Sequence, residues 1–239
     1  MSTSLYPEDF YAERRQHTAY AAARILDALP SGLNRNRIAD IGCGTGTFLA
    51  SALERGSSYA LGMEGDWVRA DMLDNPGIIF APADLERRFS APAVDLVLSL
   101  EVAEHLSPDR AAGFVSDLAA MAPAVLFSAA IPGQGGVGHV NEQWQSYWAG
   151  LFAAQGYSAH DVIRPKLWTD EAIPAWYRQN LVLYLKPHIA EQLALTPTDP
   201  RLLDTVHPAF WARANRELKY ANALPESEVL RQQAQQQQQ

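Results

Sequence analysis

The sequence predicts an α/β fold: a seven-stranded, mostly parallel sheet with helices on both faces, an N-terminal helical lid and a C-terminal helical extension. Three observations predict it. Short apolar runs of strand character alternate with stretches of helical spacing through most of the chain. One run, Val94-Asp95-Leu96-Val97-Leu98-Ser99-Leu100, is almost continuously apolar, as a parallel strand covered on both faces must be. A glycine-rich turn, Gly42-Cys43-Gly44-Thr45-Gly46, stands between the first strand and the helical stretch after it.

Residues 12–29 carry apolar side chains at helical spacing and stop at Pro30, Ser31 and Gly32. Residues 37–41 read as the first strand, 47–54 as a helix and 58–63 as a second strand ending in Glu64. Residues 66–73 fit a helix, 77–81 a third strand and 93–100 the fourth. Residues 108–121 form a helix with proline in its first turn, and 124–129 a fifth strand that runs into a glycine-rich loop ending at His139. Residues 141–155 read as helical, 158–164 and 180–186 as a closing antiparallel pair, and 190–195 and 208–224 as helices outside the sheet. The expected organisation is one domain over residues 1–187, a helical extension over 188–230, and a Gln-rich tail over 231–239 with nothing apolar to bury.

With 239 residues and 48% hydrophobic content, the chain suits a single compact domain with an appendage. Its net charge of −8 lacks the electrostatic attraction that dominates binding to phosphate backbones, so nucleic acid is a disfavoured partner. Cys43 is the only cysteine, which excludes an intrachain disulfide and a Cys-rich zinc site and fits a reducing cytoplasm. The first residues are polar, and no uncharged apolar run approaches the roughly 18 residues needed to cross a bilayer, so neither a signal peptide nor a membrane partner is expected.

Gly42, Gly44 and Gly46 sit at a spacing of two, where backbone amides and a bare main chain admit a nucleoside-type ligand. The dinucleotide fingerprint GxGxxG is not met, because the turn has glycine at its fifth place and threonine at its sixth, which makes NAD the weaker reading. With Asp40 two residues ahead, Asp40-Ile41-Gly42-Cys43-Gly44-Thr45-Gly46 resembles the first motif of the class I S-adenosylmethionine (SAM) dependent methyltransferases. The resemblance spans about residues 36–130 and implies a Rossmann-like fold with SAM as cofactor. It implies that Asp40 helps fix the methionine moiety and that Gly42, Cys43, Gly44 and Gly46 pass beneath the cofactor. Glu64, about 20 residues past the glycines, is placed to accept hydrogen bonds from both ribose hydroxyls. Asp84 resembles the position that receives the adenine amino group, with Leu85 offering its backbone amide; the competing reading of Asp84 is a helix cap. Leu100, closing the fourth strand, completes the expected cofactor contacts.

Past Leu100 the chain reads Glu101-Val102-Ala103-Glu104-His105, and in an open parallel sheet ligands bind at the carboxyl ends of the strands. If Glu101 begins a helix, Glu101, Glu104 and His105 gather on one face. The segment is similar to one in ubiquinone-pathway O-methyltransferases and small-RNA terminal 2′-O-methyltransferases, where resemblance implies a divalent metal gripping the acceptor oxygens; His139 would be a fourth ligand. Carboxylates with imidazoles suit Mg²⁺, Mn²⁺ or a related ion. Without metal, His105 is the candidate general base, and the bland alternative is a helix cap facing solvent. The aromatic residues Trp144, Tyr147, Trp148, Trp168, Trp176 and Tyr177 fall where an acceptor lid would be built, although Trp144 and Trp148 at i and i+4 fit a core stripe equally.

The expected reaction is methyl transfer from SAM to a small-molecule hydroxyl, a natural-product or sugar intermediate. The alternatives are a terminal 2′-O-methyltransferase of RNA, a SAM-binding protein without transfer activity and an NAD-dependent reductase.

Overall fold

The computed structural model describes residues 8–223. The predicted Gln-rich tail lies outside the described residues. The elements are α1 (Glu8–Ala28), β1 (Arg37–Ile41), α2 (Thr47–Glu54), β2 (Tyr59–Glu64), β3 (Ile79–Pro82), β4 (Leu96–Leu100), α3 (Ala111–Met121), β5 (Ala124–Ser128), α4 (Gln145–Ala154), β6 (Ser158–His160), α5 (Arg164–Leu167), α6 (Ala175–Asn180), β7 (Val182–Leu185), α7 (Pro187–Gln192) and α8 (Pro208–Ala223). Backbone contacts divide the chain into two units between Thr205 and Val206, the second carrying α8.

The seven strands form one sheet in the order β3-β2-β1-β4-β5-β7-β6. β7 alone runs opposite to the other strands, pairing antiparallel with both β5 and β6. Alternation along the strands sends side chains to two separate cores. Ile38, Leu96, Leu98, Leu126 and Leu183 meet α1, α2, α5 and α6 on one face, whereas Ala39, Ile41, Val97, Val125, Phe127 and Tyr184 meet α3 and α4 on the other. The mostly parallel sheet with helices on both faces is thus as the sequence predicts. Ala21, Ala22, Ile25 and Leu26 of α1 are built into the first core.

Three expectations about elements are corrected. Residues 66–73 hold only a 3-10 turn, Ala70–Met72. Such a short segment needs an apolar face to bury, and its largest apolar side chain, Trp67, is 70% exposed. The helix expected over 141–155 starts at Gln145, because the Asn141 and Gln143 amides donate to the carbonyls of Glu104 and Ala130 and hold the chain extended. The strand expected over 158–164 ends at His160, and the segment joining it to β7 contains α5 and α6. Helix starts are marked by proline at α5 and α7, where the missing amide costs no helical bond.

Candidate active site

The sheet order reverses beside β1, which is flanked by β2 and β4, so the connections leave in opposite directions and open a crevice past the carboxyl ends of these strands. The glycine turn occupies that edge. Gly42, Gly44 and Gly46 have φ of 85°, 52° and 79°, in the left-handed region that side chains oppose. The amides of Gly42 and Cys43 donate to the Met63 carbonyl at 2.8 and 3.2 Å and fasten the turn to β2. Thr45 and Thr47 donate their hydroxyls to Asp74, which holds residues 70–74 against the turn.

Each of the three glycines meets a different environment. A Cβ on Gly42 would lie 2.3 Å from Val102 Cγ2, and one on Gly46 would lie 2.7 Å from Ile78 Cδ1; both are needed for packing. One on Gly44 meets nothing within 4 Å, so the main chain there faces open space. Beside it stands Glu64, whose Oε2 accepts the Gly44 amide at 3.0 Å and whose Oε1 accepts the Gly65 amide at 2.9 Å. Two amides orient the carboxylate and leave a lone pair on each oxygen for a further donor. These residues fit a nucleoside with a vicinal diol.

Asp40 is 3% exposed, and burial, reinforced by the Glu64 charge, pushes its carboxyl up to about 8. Burial likewise raises the Cys43 thiol, which packs against Gly62 and is not a reactive group. Leu85 and Leu100 are buried, and the Leu85 carbonyl accepts Arg110 Nε at 2.8 Å. Asp84 is exposed; it accepts the Glu86 amide at 3.1 Å and pairs with Arg87 at 3.1 Å.

Past β4 the chain departs from the expected helix. Glu101 has φ of 57°, a left-handed conformation that cannot start a helix, and only Ala103–His105 makes a 3-10 turn. This is a correction, because the i, i+3, i+4 face that would gather Glu101 with Glu104 and His105 does not exist. The Glu101 carboxylate instead takes the Asn180 amide at 3.0 Å and the Gln134 amide at 3.2 Å. Gln179 in turn donates to both of those side chains, so a buried amide network closes around Glu101. Glu104, His105 and His139 do come together, each offering one ligand atom within 4.8 Å of the others. The two imidazoles meet edge to face at 4.9 Å.

Glu104 decides what that trio can hold. It is 0% exposed, and neither carboxylate oxygen has a hydrogen-bond partner. Burial, then the Glu101 charge, push it up to about 9; the Glu104 and Ala130 amides pull weakly the other way without the geometry of a hydrogen bond. An orphaned buried carboxylate beside two imidazoles is a donor set that fits a divalent ion. His105 is held below the ordinary imidazole pKa by desolvation and by His139.

No family model and no curated protein matches the chain, but solved structures do. It is similar to magnesium protoporphyrin IX methyltransferase from Synechocystis, solved with bound S-adenosylhomocysteine, with a TM-score of 0.53 at 16% identity over 78% of this chain and 89% of that one. An amino pentose methyltransferase of calicheamicin biosynthesis from Micromonospora echinaspora, bound to SAM, gives 0.52 at 17% over 78% and 100%. DesVI of Streptomyces venezuelae gives 0.55 at 15% over 74% and 95%. The fold is the class I methyltransferase fold. In that fold the glycine turn, Glu64 and the segment after β4 converge on one crevice, and the contact of Val102 with Gly42 brings the segment directly against the turn.

Within the methyltransferase fold the two raised acids set a sign for stability. Asp40 and Glu104 keep their protons in the folded chain up to about pH 8 and 9, whereas unfolded they release them near the ordinary values of 3.8 and 4.5. The folded state binds more protons in between, so ligand-free stability is expected to fall as pH rises from about 4 to 9, by at most about 1.4 kcal/mol per unit for each acid. Glu104→Gln should flatten the decline. Urea unfolding at several pH values measures both, and a slope unaffected by the substitution contradicts the assignment.

Gln134, Glu142, Gln179 and Asn180 were not legible as site residues. The amides carry no spacing signal and reach Glu101 only through tertiary contacts. Glu142 had a usable one, an acid three residues past His139 in a glycine-rich loop.

Proposed function

We propose that the protein transfers a methyl group from SAM to a hydroxyl of a small molecule, in the class of natural-product or sugar intermediates. The observation that carries the reading is Gly44 facing open space beside the doubly anchored Glu64, with Glu104, His105 and His139 across the same crevice. Asp40, the glycine turn, Leu85, Leu100 and Glu64 are the proposed cofactor contacts. Asp84 keeps its proposed adenine role only in exchange for its present partners, Glu86 and Arg87.

Bound SAM supplies a methyl group on a sulfonium that leaves as the neutral thioether. The chain's own task is alignment of an acceptor oxygen with that methyl and removal of its proton. We assign the proton to His105, whose lowered pKa leaves the ring unprotonated at neutral pH. Glu104, His105 and His139 also suit a divalent ion. Two imidazoles with one carboxylate favour Mn²⁺ or a related ion over Mg²⁺, and such an ion would supply Lewis acidity toward the acceptor hydroxyl. Glu101, committed to Asn180 and Gln134, is left outside this ligand set.

The net charge of −8 supports a small molecule over nucleic acid as acceptor, and no described helix is long and apolar enough to cross a membrane. A reducing, cytoplasmic setting is proposed from the lone Cys43. The test is mass spectrometry of candidate metabolites incubated with isotopically labelled SAM, with and without chelator. Label on an oxygen of a small molecule is the expected result; label on RNA, or on no acceptor while SAM binds, overturns it.

A further inference from the structure

The loop of residues 131–142 lies against the turn after β4, where the Val140 and Asn141 amides donate to the Glu104 carbonyl, and Glu142 holds it together. Its Oε2 accepts the Gly133 amide at 2.7 Å and its Oε1 the Gly135 amide at 2.8 Å. Oε1 also lies 2.8 Å from His139 Nδ1. Four residues earlier, the Gly138 carbonyl lies 3.2 Å from His105 Nδ1, presented by a backbone with φ of 74°. A carbonyl oxygen has no proton to give and an ionised carboxylate only accepts, so in both contacts the imidazole donates from Nδ1. The remaining nitrogen, Nε2, is then a bare lone pair. Free imidazole prefers the opposite tautomer, with the proton on Nε2 and nothing to offer a cation there.

We infer that Glu142 is a positioning residue: together with the Gly138 carbonyl it fixes His139 and His105 as Nδ1–H tautomers, so that both Nε2 atoms are available beside the orphaned Glu104 carboxylate. The inference rests on the reading of that trio as an ion site. Carboxylate and carbonyl groups behind ligating histidines set tautomer and ring orientation in metal sites generally. Here one loop supplies both supports. The same loop leaves room for the ring, because a Cβ on Gly136 would stand 2.2 Å from His139 Nε2. That glycine has no left-handed φ to satisfy, so its bareness serves the histidine.

The experiment is long-range ¹H–¹⁵N correlation on metal-free, histidine-labelled full-length protein near pH 8, paired with calorimetric titration of Mn²⁺. Wild type should show Nδ1–H for both His105 and His139. In Glu142→Gln, His139 should move to the Nε2–H form while His105, still held by Gly138, does not. Mn²⁺ affinity should fall about 10- to 100-fold with SAM affinity unchanged. A role confined to tying the loop would lower thermal stability and leave the His139 tautomer alone, and that result overturns the inference. An Nε2–H His139 in wild type overturns it without any variant. If wild type shows the expected tautomers and the expected switch but takes up no Mn²⁺, the positioning role stands and the ion reading is the one that fails.

Discussion

Valine at position 44 is expected to abolish SAM binding while the protein stays folded. The three glycines of the turn share a left-handed backbone, but only at Gly44 does the missing Cβ point away from every protein atom. A side chain at Gly42 or Gly46 would collide with Val102 or Ile78 first, so substitution there disturbs the fold and says little about the ligand. At Gly44 the branched side chain enters the space into which the cofactor must come, and the accompanying backbone strain is only about 1–2 kcal/mol. Calorimetry with SAM beside a thermal melt separates the two costs. Measurable SAM affinity in a folded Gly44→Val would falsify the placement of the cofactor.

His105→Ala should lower turnover by about 10²- to 10⁴-fold with SAM affinity nearly intact, because the residue sits past β4 and takes no part in the glycine turn. Its depressed pKa gives the pH dependence a direction: the acid limb of the wild-type rate should lie below the ordinary imidazole range, since desolvation and His139 both disfavour the charged ring. Chelation divides the two roles. If the ion acts, chelator should remove turnover and Mn²⁺ restore it; if the free imidazole acts, turnover should survive chelation. Near-normal turnover of His105→Ala on the true acceptor removes both roles and leaves the turn after β4 as scaffolding.

The parts of the site that rest on local chemistry were legible in the sequence. A glycine turn between strand and helix, and an acid at the end of the next strand, announce themselves through spacing, and Gly44 and Glu64 are hydrogen-bonded partners in the structure. The near-continuous apolar run ending at Leu100 marked the buried strand, and β4 is buried at all its positions. Reading failed where tertiary contacts outweigh periodicity. Glu101 sits at helical spacing from Glu104 and His105, yet the Ser128 carbonyl and hydroxyl draw its amide at 3.0 and 3.1 Å and turn the backbone out of the helical region. Residues 66–73 carry helical spacing, but nothing lies over Trp67 to reward it.

The contact between Glu101 and Asn180 joins residues 79 apart in sequence, and that between Val102 and Gly42 joins a third remote stretch. Closing such long loops costs entropy that only the assembled sheet returns, with β7 inserted between β5 and β6. The crevice is therefore expected to be complete only once the whole sheet has assembled. Formation of β1 to β4 alone would leave Glu101 without the Asn180 and Gln134 amides that hold it. Any ligand that needs the whole crevice binds only the native state and stabilises it by an amount that grows with the logarithm of its concentration above Kd.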